Sequence, residues 1–270
     1  MRTFVLLFCC SIFIACSNPK TEKRKESASE PLEKPKKQRP ISLDNGKFFK
    51  VNNTAMLYGG KDSLQHFNVS NLTLEPSQFH YGIGREAFPA LLQPTFFSIT
   101  EADTLWADST RFLVGSINGE AKAYSVPDLT HHEIVNDVLG GEPVIAAYCI
   151  LADLGAIYTR TYNDQVFTFA LSGYTYYDST VWNGLDGFVW WDRETESLWW
   201  PLIDKAVSGP MLGVGLQELS KENWEDISWK EVKQKYPDAK VMQSGLDYER
   251  PTTWKKLDDV SEIVKAYSMP

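Results

Sequence analysis

Arg111-Phe112-Leu113-Val114-Gly115-Ser116-Ile117-Asn118-Gly119-Glu120-Ala121-Lys122-Ala123-Tyr124-Ser125-Val126 reads as two strands joined by an Asn-Gly pair. A type I′ hairpin turn needs two successive residues with positive φ, which Asn and Gly supply at least cost. More runs of the same kind follow: Pro143 to Cys149, Gly155 to Tyr162, Gln165 to Leu171 after the Asn163-Asp164 turn, Gly187 to Trp191 and Ser197 to Trp200. The last two bracket the charged turn Asp192-Arg193-Glu194-Thr195-Glu196. Upstream, Phe48-Phe49-Lys50-Val51 and Ala55-Met56-Leu57-Tyr58 flank Asn52-Asn53 as an edge hairpin. Helix is expected only near Glu101 to Ala107, in a turn around Leu129 to Val138, and from Trp229 to Lys235 before Pro237. Short, closely spaced, hairpin-connected strands point to a β-rich α+β fold. In that reading an antiparallel sheet curls into a barrel or sandwich, with a few short peripheral helices.

Beyond the hairpin lies the window densest in groups able to bind a metal or move a proton, Thr130-His131-His132-Glu133-Ile134-Val135-Asn136-Asp137. Gly140-Gly141 turns the chain into a run ending at Tyr148-Cys149. His131 and His132 are adjacent, so their side chains diverge on a helix or a strand and one ion does not take both. A metal set would combine His132 and Cys149 with an acid or with His66 or His80, and imidazole plus thiolate favours copper or zinc. His131 is a substitute ligand. The same two residues would also serve a Cys-His nucleophile, the imidazole oriented by Asn136 or Asp137. Glu133, Asp137, Asp192 and Arg193 are the acid-base candidates, Asp192 if it shares a cleft with Glu133. The competing reading is structural: His132 bonded inside the core, Cys149 a small buried hydrophobe, Asp192 and Arg193 a turn or an ion pair. In that case the protein is a non-catalytic binding module, with an aromatic surface near Trp190 and Trp199 meeting the ligand.

Two familiar signatures are excluded. Gly82-Ile83-Gly84-Arg85-Glu86-Ala87 has no apolar strand before it, and Pro89 and Pro94 interrupt any helix after it, so it is no dinucleotide fingerprint. Ser172-Gly173 lacks the glycine that a nucleophile elbow carries ahead of its serine.

The ends of the chain carry its address. Arg2 and an apolar run from Phe4 to Ala15 read as a secretory leader over residues 1–15, too short to span a bilayer. Ala15-Cys16 closes it like a bacterial lipobox, although Phe13 stands where Leu is usual, and Cys16 is the expected lipidation site. Residues 16–40 are a charged tether, with eight basic residues against four glutamates and no apolar periodicity. The expected location is the cell envelope, anchored to a bacterial membrane through lipid on Cys16 and facing the periplasm or the exterior. Residues 41–270 carry 18 basic and 31 acidic side chains, a net charge of −13, which makes nucleic acid a poor partner. Cys9 and Cys10 leave with the leader, so Cys149 has no intramolecular partner.

Several blocks in order carry a family resemblance. They are Arg85-Glu86-Ala87-Phe88-Pro89-Ala90-Leu91, Asn118-Gly119-Glu120-Ala121-Lys122-Ala123-Tyr124, His132 to Asp137, Tyr148-Cys149, Phe169-Ala170-Leu171-Ser172-Gly173, Asp192 to Trp199, and Ser208-Gly209-Pro210. Together they resemble the bacterial and archaeal family DUF3179 over about residues 82 to 243. The resemblance implies a domain between an N-terminal extension (41–81) and a peripheral C-terminal segment (244–270), in a family without an assigned activity and with many exported or lipoprotein members. The chain departs from the pattern in three places. The usual Tyr-Cys-Pro-Leu-Cys block reads Tyr148-Cys149-Ile150-Leu151-Ala152, which removes a dithiol switch there. His131 stands where Trp is frequent, and Trp200-Pro201 replaces Ser-Gln.

Overall fold

A computed structural model of the chain describes residues 44–182 and 186–248, all within one compact unit. The leader, Cys16, the tether and residues 249–270 lie outside the described residues.

The Arg111–Ile117 and Glu120–Ser125 strands pair antiparallel through Asn118 and Gly119, with φ of 51° and 80°. Trp224–Ser228 joins one side of this hairpin, and Lys240–Gln243 and Thr95–Phe97 the other, making five strands. Ile134–Leu139, Glu142–Cys149 and Leu154–Thr159 form an antiparallel meander that Leu91–Leu92 extends in parallel to a four-stranded sheet. The six-stranded sheet runs Asp44–Asn45, Phe79–Tyr81, Phe169–Tyr176, Gly187–Asp192, Leu198–Trp200, Lys205–Ala206. Phe48–Val51, Thr54–Leu57 and Phe67–Asn68 make a three-stranded sheet, with Asn52 and Asn53 both at positive φ in the first turn. None of these sheets closes on itself. The strand-rich α+β class holds, and the sheets pack face on face as a sandwich rather than as a barrel.

The four-stranded sheet is the middle layer. On one face Ile134, Ile145, Ala147 and Cys149 join a core with Phe169, Trp190 and Trp199 of the six-stranded sheet. On the other, Val135, Val144, Ala146 and Tyr148 pack against Leu113 and Tyr124 of the five-stranded sheet. A strand buried on both sides needs no polar alternation, which is why Glu142–Cys149 is nearly continuously apolar. A third cluster, with Phe112, Val114 and Ala123, lies under the helices α1 (Ile99–Ala102) and α3 (Trp229–Lys235). Ser98 and Ser228 cap α1 and α3, each in a reciprocal box with a glutamate three residues on.

Two local expectations change: the helix expected near Glu101 to Ala107 runs Ile99–Ala102, and the turn expected around Leu129 to Val138 divides into helix and strand. The helix α2 (Val126–His132), capped by Ser125 and with Pro127 in its first turn, holds Leu129 but stops at His132. Ile134, Val135 and Val138 belong to a strand instead of a helical turn. Glu133 sits between them in the left-handed region at φ 54°, which ends the helix, and the β-branched residues after it suit the pleated sheet. Gly84, part of the rejected glycine fingerprint, packs backbone to backbone with Gly173. A Cβ on Gly173, at φ +82°, would lie 2.1 Å from the Gly84 carbonyl. Gly173 also lies in the register shift between Leu171 and Tyr174 on the strand facing Gly187–Asp192.

Candidate functional site

The junction between α2 and the middle sheet decides which groups meet. Because α2 ends at His132, that imidazole turns away from the meander. Its Nδ1 lies 2.8 Å from the Pro89 carbonyl and its Nε2 3.2 Å from that of Ser244. With both ring nitrogens against backbone oxygens, His132 is a buried bracing residue. His131 stacks near Tyr248, ring centroids 4.3 Å apart, and burial lowers its pKa. Tyr248 and Ser125 donate to the two oxygens of Asp128 below it.

Glu133 takes the place expected of His132. Its backbone carbonyl accepts from the Tyr148 N–H at 3.0 Å, one residue from the thiol of Cys149. The residue is buried in a conformation that glycine or asparagine usually occupies, and its side chain accepts no hydrogen bond from a described residue. Burial alone pushes its carboxyl up to about 8. The Cys149 thiol is pushed up to about 12, first by burial and then by the Glu133 carboxylate, against weaker opposing hydrogen bonds from the backbone. Near neutral pH, therefore, both the carboxyl and the thiol are uncharged.

Asp137 lies elsewhere, in a buried ion pair. The Lys122 ammonium sits 2.9 and 3.0 Å from its two oxygens, and the Tyr124 hydroxyl donates to it at 2.8 Å. Asn136 bonds both the N–H and the C=O of Phe169 at 2.9 Å, tying the middle layer to the six-stranded sheet. Asp192 is fully buried and accepts from the Thr195 N–H and hydroxyl and from the Trp199 indole, at 2.6, 2.9 and 2.7 Å. It holds the turn after Gly187–Asp192, its carboxylate committed to Thr195 and Trp199. Arg193 makes a bidentate pair with Glu86, both contacts at 2.8 Å, beside the Arg85–Glu196 pair. The family blocks around Arg85-Glu86 and Asp192 to Glu196 thus clasp one another across the fold.

These positions dissolve the expected ligand set. His66 accepts from the Gly59 N–H and His80 pairs with Asp186. Among the described residues no three His, Cys, Asp or Glu side chains converge to hold a metal ion, so no copper or zinc set forms around His132, His131 and Cys149. Nor do Trp190 and Trp199 form a surface. They pair across neighbouring strands and both are fully buried.

What the sheets do enclose is a cleft of about 380 Å³ between the Leu154–Thr159 strand and the Gly187–Asp192 strand, with Cys149 at its floor. Tyr158, Phe188, Trp190 and Trp224 wall it, and Asp204, Glu218 and Lys221 stand at its mouth. Asp204 is brought there by a left-handed turn after Pro201–Ile203, and Glu218 by an isolated bridge to Tyr158. The sequence reading missed these mouth residues. They sit in irregular chain, and no periodicity marks them.

No curated protein and no solved structure matches the chain. Residues 85–256 match the profile of DUF3179, described as a protein of unknown function, and the chain belongs to that family.

Proposed function

We propose that the protein is an envelope-anchored binding module, tethered to a bacterial membrane by lipid on Cys16 and taking a small ligand into the cleft floored by Cys149. The observation carrying this reading is the cleft itself. Pockets of a few hundred Å³ with mainly apolar walls and a few polar groups are the usual form of small-molecule sites. Aromatic side chains from three sheets converge on it. Its floor favours binding over nucleophilic chemistry. A thiol with a pKa of about 12 is thiolate in roughly one molecule in a hundred thousand at pH 7. Among the described residues the carboxyl acting on that thiol is Glu133, itself mostly protonated at that pH.

The test uses the full chain and 6-propionyl-2-(dimethylamino)naphthalene, a neutral fluorophore whose emission reports polarity. The expected result is saturable one-to-one binding with a blue shift and quenching of tryptophan emission, weakened about tenfold by Trp224→Ala through loss of one aromatic wall. Trp224 is only half-buried, and an unchanged circular dichroism spectrum shows that the variant is folded. Absence of saturable binding, or binding indifferent to Trp224→Ala, removes the cleft as the site. For the anchor, Cys16→Ser is expected to move the chain from the membrane fraction to the soluble fraction. An unchanged distribution refutes lipid attachment at that residue.

A further inference from the structure

The mouth of the cleft has a charge pattern that its walls do not require. Two carboxylates, Asp204 and Glu218, stand over a chamber walled by Tyr158, Phe188, Trp190 and Trp224. Aromatic faces carry negative potential, so carboxylates above them add to a field that already attracts cations. The protein's own side chains show the preference. The Lys221 ammonium lies 5.1 Å from the Trp224 ring centroid and 3.4 Å from Glu218 Oε1, in the corner these groups form. Its side chain is 82% exposed, so it is a loosely held occupant. Trp224 donates its indole N–H to the same Glu218 oxygen at 3.1 Å, which fixes ring and carboxylate as a unit.

We propose that the cleft recognises a small organic cation, a protonated amine or quaternary ammonium group on an apolar body, with the charge at Asp204, Glu218 and Trp224 and the body against Tyr158 and Phe188. This rests on the cleft reading above and names the ligand class it takes. Both carboxylates make themselves felt inside the chamber. The Tyr158 hydroxyl is raised first by burial, then by Asp204 and Glu218, and Asp204 is raised by burial and by Glu218. Two like charges facing each other over a partly buried space are relieved by a cation between them. Lys221 supplies a cation only at the rim. The apolar floor, with Cys149 uncharged, suits the hydrocarbon end of the ligand.

Benzyltrimethylammonium is the probe, with benzyl alcohol and phenylacetate as its neutral and anionic counterparts, each followed by tryptophan quenching and by displacement of the neutral fluorophore from the full chain. Benzyltrimethylammonium is expected to bind about tenfold or more tightly than benzyl alcohol, with phenylacetate weakest. Asp204→Asn with Glu218→Gln is expected to erase that preference while leaving fluorophore affinity within about twofold, since an amide oxygen at position 218 still accepts from the Trp224 indole and only charge is lost. Lys221→Met is expected to tighten benzyltrimethylammonium binding by removing a competing ammonium. If the fluorophore binds at the cleft but benzyltrimethylammonium shows no advantage over benzyl alcohol, or keeps it in the double variant, the cation assignment is overturned and the cleft stands. If neither probe binds, the cleft reading itself falls.

Discussion

Lys122→Met destabilises the fold by about 3–5 kcal/mol, the cost of leaving one member of a buried ion pair without its partner. Lys122 and Asp137 are both buried, and the ammonium also donates to the Val138 carbonyl at 2.6 Å and lies 4.3 Å from the Phe96 ring centroid. Without it, the Asp137 carboxylate keeps, among the described residues, only the Tyr124 hydroxyl and the Val138 N–H as hydrogen-bond donors. The pair joins the hairpin of the five-stranded sheet to the first strand of the middle sheet, so the loss is expected in the cooperative unfolding of the whole domain. Urea denaturation checks it, with a midpoint that falls while the slope is kept. Lys122→Met with Asp137→Leu is expected to recover much of the loss, because two apolar groups leave no charge stranded. A double variant as unstable as the worse single one would show that the pair contributes by attraction rather than by mutual compensation.

Stability is expected to fall as the pH rises from about 4.5 to about 8, and Glu133 is the reason. Its carboxyl has an ordinary value of 4.5 and is pushed up to about 8 in the fold by burial. Within that window the unfolded chain releases a proton that the folded chain holds, so folding loses about 1.4 kcal/mol per pH unit. The contribution is fully favourable below the lower value and flat again above the upper one. Across the window the loss is on the order of 5 kcal/mol. Glu133→Gln is expected to remove this slope and to leave the variant more stable than the parent at pH 8. The check is a series of denaturation midpoints from pH 5 to pH 9 on both proteins, and parallel curves would refute the assignment. Glu133→Gly removes the carboxyl and also relieves the left-handed backbone, so it is expected to be the more stable of the two variants near neutral pH.

Much of the fold was legible because its signals are local. Asn118-Gly119 and Asn52-Asn53 set turns through their own φ angles, and Ser228 with Glu231 starts α3 where the sequence placed it. The α2 boundary was not legible. Leu129, Ile134, Val135 and Val138 fit a helical period, and only the left-handed turn at Glu133 diverts the last three into a sheet. That one residue altered the site, since His132 goes to the Pro89 and Ser244 carbonyls and Glu133, not His132, acts on the Cys149 thiol. Asp192 and Arg193 followed their structural reading, because a short charged turn supplies its own donors and a nearby Glu86 completes the pair.

The sequence alone determined the strand-rich class, the hairpins, α3 and the family, each written in turn chemistry, periodicity or ordered motifs that act over a few residues. Only the tertiary structure decided that the middle sheet is buried on both faces, that Trp190 and Trp199 are core, and that Asp204, Glu218 and Trp224 meet over Cys149. Those outcomes depend on contacts between residues far apart in the chain. Such contacts are fixed by how three sheets stack, and no local pattern encodes them.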